Sequence, residues 1–381
     1  MRHCERALLA ADALRPRPRE SGDALNLLGA LHLRRKAPAV AVTCLERALS
    51  IRMQHASGPA DVTLAGTLST LGSAHQALGA HAEATRCHER AVAVLERAGA
   101  VDGAVLATAV HNLGSAYRTL SRFEEARTCY ERAFKLREGA LGAESVQNAA
   151  TLNNWGAVLQ QLTRYREAVS CYQRALAIQG RTYGREHPAT AATLSNLGSV
   201  HGQLGEHKIA VDCHGRALAI QEAHFGPEHP DVAATMHNLG NALAAANRGH
   251  DAARCHWRAL GVWSRTLGPA HPDIAATLHS LGNVYRGLRE PHAAAQCFAG
   301  ALRIREATLG PTHTETARTR HCAALVGCAL GDRKAAAQEL QAAVDSLISG
   351  LGSRHPWSLQ ARADLNSLRQ LNAMPPEVAA S

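Results

Sequence analysis

One spacing constrains this chain more than any other. Gly72, Gly114, Gly156, Gly198, Gly240 and Gly282 stand 42 residues apart, each behind a large apolar residue: Leu71, Leu113, Trp155, Leu197, Leu239 and Leu281. A strict period of roughly 20–50 residues marks a solenoid, in which one supersecondary unit stacks on copies of itself. The 381 residues would otherwise allow two or three ordinary domains. The unbroken period argues instead for one elongated domain stabilised by nearest-neighbour contacts.

Within one copy, Leu194, Leu197, Gly198 and His201 fall on one helical stripe, and Ala210, His214 and Ala217 make a second. Leu204-Gly205-Glu206 breaks the pattern between them. The unit therefore reads as two antiparallel helices, A and B, that cross where Gly198, Ala210 and Ala217 keep the side chains small.

Helix A is expected near 24–36, 64–79, 106–121, 148–163, 190–205, 232–247, 274–289 and 316–331, so residues 24–350 read as eight repeats. Residues 1–15 precede them as a half repeat, because Glu5-Arg6-Ala7-Leu8 matches Glu46-Arg47-Ala48-Leu49 of a B helix. A missing upstream helix A implies either a truncated gene product or a protein whose first cap is provided otherwise. The last repeat has decayed, with Ala324 in place of Gly and Arg320 in place of Leu or Met. Residues 357–372 are expected to form a capping helix made polar by Gln360, Arg362, Asp364 and Arg369, and 373–381 a disordered tail.

Several chemistries are excluded. No apolar run approaches the 18 or so residues of a membrane span, the nearest being Cys322–Gly331. The net charge of +9 comes with Arg and acidic residues alternating along helix B, which reads as an ion-paired outer face. With only 4% aromatic residues, the base-stacking platforms of an RNA reader are missing, so acidic proteins rather than nucleic acids are the expected partners. Seven of ten cysteines, Cys44, Cys87, Cys129, Cys171, Cys213, Cys255 and Cys297, share one repeat position. Adjacent copies lie roughly 8–10 Å apart, beyond the reach of a disulfide, so the thiols are expected to be reduced and the chain cytoplasmic. Cys213-His214 and Cys255-His256 diverge by about 100° around a helix and cannot share a metal, so no metal or cofactor is expected. His88, His214 and His256 replace Tyr130, Tyr172 and Phe298 of other copies and read as packing residues. His-Pro pairs at 187, 229, 271 and 355 mark helix starts, which Asp231 and Asp273 favour. No hydrolase elbow, metalloprotease helix or phosphate loop is present, and an enzyme is not expected.

A binding groove is expected on the side of the A helices beside the packing stripe. Its candidate residues are His111, Asn112, Asn153, Asn154, Ser195, Asn196, His237, Asn238, Asn241, His279 and Asn283, with Arg118 and Arg286 one turn on. An amide both donates and accepts, so a row of Asn can bond the backbone of an extended peptide, while the two Arg meet acidic side chains.

The run Leu113-Gly114, Tyr117, Ala126, Tyr130 and Ala133 resembles the tetratricopeptide repeat. Extra linker residues carry a second signature, as in Leu267-Gly268, His271-Pro272-Asp273-Ile274 and Thr277-Leu278. Over about residues 24–356 the chain looks like kinesin light chains and nephrocystin-3-like proteins. That resemblance implies an all-α, right-handed superhelical solenoid of antiparallel helix pairs with a concave groove. In kinesin light chains an Asn similar in placement to Asn112, Asn154, Asn196 and Asn238 lies in the groove that binds cargo peptides. A cargo adaptor with kinesin or cytoskeletal partners is thus implied, although the long heptad segment that joins such chains to a motor is not found here. A ciliary or cytoskeletal assembly component resembling nephrocystin-3, or the sensor part of a signalling protein, are the other readings.

Overall fold

The computed structural model describes residues 18–55, 58, 61–99 and 102–373. The expected half repeat at 1–15 and residues 374–381 of the tail lie outside them. Among the described residues there are seventeen α-helices and no strand. Eight A/B pairs run in order: α1 (Pro18–Arg34) with α2 (Pro38–Gln54), α3 (Val62–Ala77) with α4 (His81–Ala98), α5 (Gly103–Thr119) with α6 (Phe123–Leu141), and α7 (Val146–Gln161) with α8 (Tyr165–Thr182). They continue with α9 (Pro188–Gln203) and α10 (His207–Phe225), α11 (Pro230–Ala245) and α12 (Gly249–Thr266), α13 (Pro272–Gly287) and α14 (Pro291–Leu309), and α15 (Thr314–Ala329) and α16 (Arg333–Leu351). A last helix, α17 (Pro356–Ala373), follows. The chain divides into two compact units, Met1–Arg185 and Glu186–Ser381.

The period is explained by what the recurring glycine touches. A Cβ added to Gly156 would stand 2.8 Å from the ring of Tyr172, one on Gly240 2.7 Å from His256 and one on Gly282 2.7 Å from Phe298. The ring belongs each time to the B helix of the same repeat, and Tyr130, Tyr172, Phe298 and His256 are fully buried. Glycine on A and an aromatic or imidazole ring on B are one joint. His88, His214 and His256 occupy the ring position as packing residues, which matches the sequence expectation. Around these joints the cores are aliphatic: Leu45, Leu68, Leu71 and Leu95 in the first unit, Met236, Leu243 and Leu281 with Trp263 in the second.

The A helices begin and end earlier than the sequence reading placed them, and the first spans Pro18–Arg34 rather than 24–36. Two local devices account for the shift. At the start, the histidine of the linker caps the helix: Nδ1 of His187, His229, His271, His313 and His355 accepts from the backbone N–H two residues on, at 3.1–3.3 Å. Pro at the first helical position follows naturally, since its missing N–H would have had no partner there. His313 does the same without a proline. At the end, one residue takes the left-handed conformation, as Gly205 does at φ +78° and Asn247 at φ +60°. Its neighbour's N–H then returns to the helix, Arg248 N bonding the Leu243 carbonyl at 2.8 Å. Lys36, Ser121, Thr163 and Arg289 make this turn without glycine, at φ +57° to +61°.

Within each unit every B helix packs on the A helix that follows, and successive A helices also touch one another. The A helices therefore line one continuous face of each unit. Arg-carboxylate pairs tie successive B helices on the outside, including Arg132–Glu96 at 2.6 Å and Arg258–Glu222 at 2.7 Å. Such exposed pairs contribute about 0–1 kcal/mol each, so the joints carry the stability. None of the nine described cysteines forms a disulfide. No described helix is long and apolar enough to cross a membrane.

Two outcomes follow from the joints. Gly156→Ala forces the buried Tyr172 ring to move and is expected to cost about 1–3 kcal/mol. Gly215→Ala, in helix α10 where a Cβ meets nothing within 4 Å, is expected to gain about 0.5–1 kcal/mol from helix propensity; melting temperatures of the two variants test the contrast. The second outcome concerns acid. Burial holds His88 and His214 down to about 4 and His256 to about 3, against an ordinary value of 6.5. The unfolded chain therefore takes up protons first as pH falls. Stability is full above pH 6.5 and lost progressively toward pH 4. His256→Phe, the ring that Phe298 provides in the next repeat, should flatten that decline in a series of melts from pH 7 to 4.

Candidate functional site

The expected groove residues lie on the A helices, one row beside the buried stripe. Arg118, Asn196, Asn241 and Arg286 are exposed. His111, Asn112, Asn153, Asn154, Ser195, His237, Asn238, His279 and Asn283 are half-buried. Their flanking positions, such as Leu113 and Gly114 or Leu239 and Gly240, are buried. Helical geometry thus presents a polar row on the A-helix face of each unit.

The row is more engaged than a simple ladder of free amides. In the first unit Nδ1 of His111 on α5 lies 3.2 Å from Oγ1 of Thr151 on α7, and Nδ2 of Asn154 lies 3.3 Å from His111 Nε2. In the second unit His237 meets Thr277 at 2.9 Å, and Asn241 meets His237 at 3.0 Å. His279 meets Thr319 at 3.2 Å. Ser195 makes a long contact of 3.5 Å with His214. Asn154 and Asn241 are accordingly held by histidines before any ligand arrives.

Each threonine is a hydrogen-bonding hub. Thr151, Thr277 and Thr319 donate to the carbonyl four residues back, at 3.2, 2.8 and 3.0 Å. A hydroxyl has one proton, so the imidazole must be the donor at Nδ1 and keep Nε2 as an acceptor. Arg137 and Arg305, reaching from B helices, donate to the same oxygens of Thr151 and Thr319. The two arginines differ in compensation. Arg305 lies 3.2 Å from the Glu315 carboxylate, whereas Arg137, 5% exposed, bonds the Gln147 carbonyl and two threonines while its Nε is buried without a partner. Burial, reinforced by Arg137 and Arg118, pushes His111 down to about 4; burial, with Arg305 next, does the same for His279. These imidazoles are neutral acceptors at physiological pH.

Threonine at this register, together with Arg137 and Arg305, was not among the expected site residues. The signal was available, because Thr151, Thr193, Thr235, Thr277 and Thr319 recur at the 42-residue interval and all are buried.

Two cavities of about 300 Å3 open on this face in the second unit. One is lined by Asn241, Asn247, Ser280 and Asn283. The other brings His279, Asn283 and Arg286 together with Arg318, His321 and Trp357, so the capping helix is a wall of it. There Arg318 stacks on Trp357, 3.6 Å from the ring centroid, and His321 bonds Asp364 at 2.8 Å. A larger hollow of about 740 Å3 in the first unit is lined by Glu46, Met53, His75, Glu83, Arg86 and Arg90 and includes none of the expected residues. Among the described residues no three His, Cys, Asp or Glu side chains gather as a metal site.

Comparison with known proteins fits this geometry. No curated protein sequence matches the chain. Among solved structures, BtubC (BKLC) from P. vanneervenii is 26% identical with a TM-score of 0.53, over 60% of this chain and 91% of that one. The apo form of RapI shares the fold at 13% identity and a TM-score of 0.59, over 75% and 97%. A putative kinesin light chain from Podosopora anserina, with nearly identical TPR-like repeats, is 24% identical with a TM-score of 0.48, over 54% and 96%. The tetratricopeptide repeat model matches residues 63–139, 147–223 and 231–307. Those stretches cover more than half of the sequence and coincide with the A/B pairs, and the chain belongs to the tetratricopeptide repeat family.

Proposed function

We propose that the A-helix face binds an extended segment of a partner protein, and that the chain is a cytoplasmic cargo adaptor of the kinesin-light-chain kind. A tetratricopeptide repeat scaffold is a surface for protein partners, and no catalytic role is assigned to it. The observation that carries the proposal is the polar row itself. Side chains able to donate and accept stand solvent-accessible along successive A helices, between buried neighbours, where a strand of peptide lays its own backbone amides. Arg118 and Arg286, both exposed, add a preference for acidic partners.

The Asn154→Ala/Asn196→Ala pair tests it. Asn196 is exposed and Asn154 contributes one hydrogen bond of ordinary strength, so a melting-temperature fall of no more than about 2–4 °C is expected. Partner proteins captured from lysate by the parent chain should be depleted from the variant's eluate when both are compared by mass spectrometry. A large stability loss with an unchanged partner list removes the groove as the site.

A further inference from the structure

The groove between α4 and α6, with α5 beneath it, shows how this fold closes the gap between successive B helices. Tyr117 of α5 rises into the gap and donates its hydroxyl to the Glu89 carboxylate of α4 at 2.7 Å. Arg122 stacks on the ring, 4.4 Å from its centroid. Further along, Arg132 of α6 ties Glu96 of α4 at 2.6 Å. In the second unit a tyrosine stands at the same register, and Trp257 of the preceding B helix donates to the Tyr285 hydroxyl at 2.9 Å.

The preceding groove, between α2 and α4 over α3, lacks both ties. His75 stands at the register of Tyr117, and Met53 at that of Glu96. Glu46, the counterpart of Glu89, is exposed, and among the described residues no side chain bonds it. Arg90, the counterpart of Arg132, reaches the Met53 sulfur at 3.9 Å in place of a carboxylate. What remains is the hollow of about 740 Å3, with buried Leu49, Leu71 and Cys87 in its lining. The other polar lining groups are accounted for. Glu83 and Arg86 pair at 2.8 Å, and Ser50 and Gln54 are exposed to water. Two carboxylates and two guanidinium groups line the hollow, so charge selects neither an anion nor a cation.

We propose that this hollow docks the side chain of a tyrosine presented by a partner protein. The ring takes the volume that Tyr117 takes one groove later, against Leu49, Leu71 and Cys87, and its hydroxyl donates to Glu46 as Tyr117 donates to Glu89. Tyrosine joins an apolar body to a polar tip, and it is the side chain that the fold itself places at this register in two other repeats. The first seventeen residues of this chain contain no tyrosine and cannot supply it. The site lies on the B-helix side and is independent of the A-helix face.

Saturation-transfer NMR on the full chain tests the site, with capped tyrosine (N-acetyl-tyrosine methylamide) and its phenylalanine, tryptophan and phosphotyrosine counterparts as probes. Saturable binding of the tyrosine probe is expected in the millimolar range, with the other three about tenfold weaker. Phenylalanine has no proton for Glu46, the indole N–H projects from the side of a wider ring, and a phosphate brings negative charge to a carboxylate. His75→Tyr rebuilds the Tyr117 arrangement within the chain, so it is expected to raise the melting temperature and to abolish tyrosine binding. Glu46→Ala, at an exposed position, should leave melting unchanged and bring tyrosine down to the level of phenylalanine. Asn154→Ala/Asn196→Ala should leave tyrosine binding intact, which separates this site from the A-helix face. Phenylalanine or tryptophan bound as tightly as tyrosine, tyrosine binding that survives His75→Tyr, or a lower melting temperature in that variant overturns the proposal. Self-association of the parent chain in sedimentation, abolished by Tyr183→Phe at an exposed tyrosine, would make a second copy the occupant and overturn the assignment to a different partner.

Discussion

Everything in this structure depends on how closely an A helix can approach the B helix of its own repeat. The approach is set by a missing side chain on one helix and a flat ring on the other: Gly114 against Tyr130, Gly156 against Tyr172, Gly282 against Phe298. The ring fills the space that a Cβ would take, as close packing of an interior requires. Alanines such as Ala126, Ala168 and Ala252 are fully buried along the same seam and hold the backbones near. Few aromatics suffice for a chain of this length because each ring serves one joint.

The contacts between repeats are of a different kind. Here polar valence rather than shape decides the register: a threonine oxygen that has given its proton to its own helix accepts from the imidazole of the preceding repeat. Thr319 shows the full complement, with Glu315 as acceptor and both His279 and Arg305 as donors. A neighbour slid by one residue would leave buried donors without acceptors, at a cost comparable to the loss of several hydrogen bonds. The same histidines present Nε2 toward the asparagines of the A-helix face. Structural register and binding chemistry thus share atoms at His111 and His237.

The joint was legible in the sequence because glycine and ring recur at a fixed interval, and a fixed interval survives without coordinates. The histidine caps were half legible. His-Pro marks a helix start, but the acceptor is Nδ1, and His313 performs the same task before a threonine, where no proline draws attention to it. The placement of His111, Asn154 and Asn241 on an accessible face followed from helical spacing. The engagement of His111 with Asn154 did not, since it joins residues about one repeat apart through the rotamers of both, and that of Asn241 with His237 depends on rotamers within one helix. The contribution of Trp357 and Gln360 to a cavity was likewise out of reach, because the capping helix read as a solvated end and only packing shows that it walls a pocket.

The exchange of rings among joints gives each unit an uneven profile. In the first unit, Tyr130 and Tyr172 close two joints and His88 another; in the second, His214 and His256 close successive joints while Phe298 closes the next. In an array held by neighbour terms, a defect propagates only as far as the adjoining interfaces allow. Mild acid therefore does not melt such a chain evenly. Protons load the joints closed by an imidazole at the ring itself, whereas at Tyr130 and Phe298 they reach only the neighbouring His111 and His279, which burial also holds down to about 4. The choice between histidine and its aromatic relatives thus sets how many of the rings that close the joints can take up a proton.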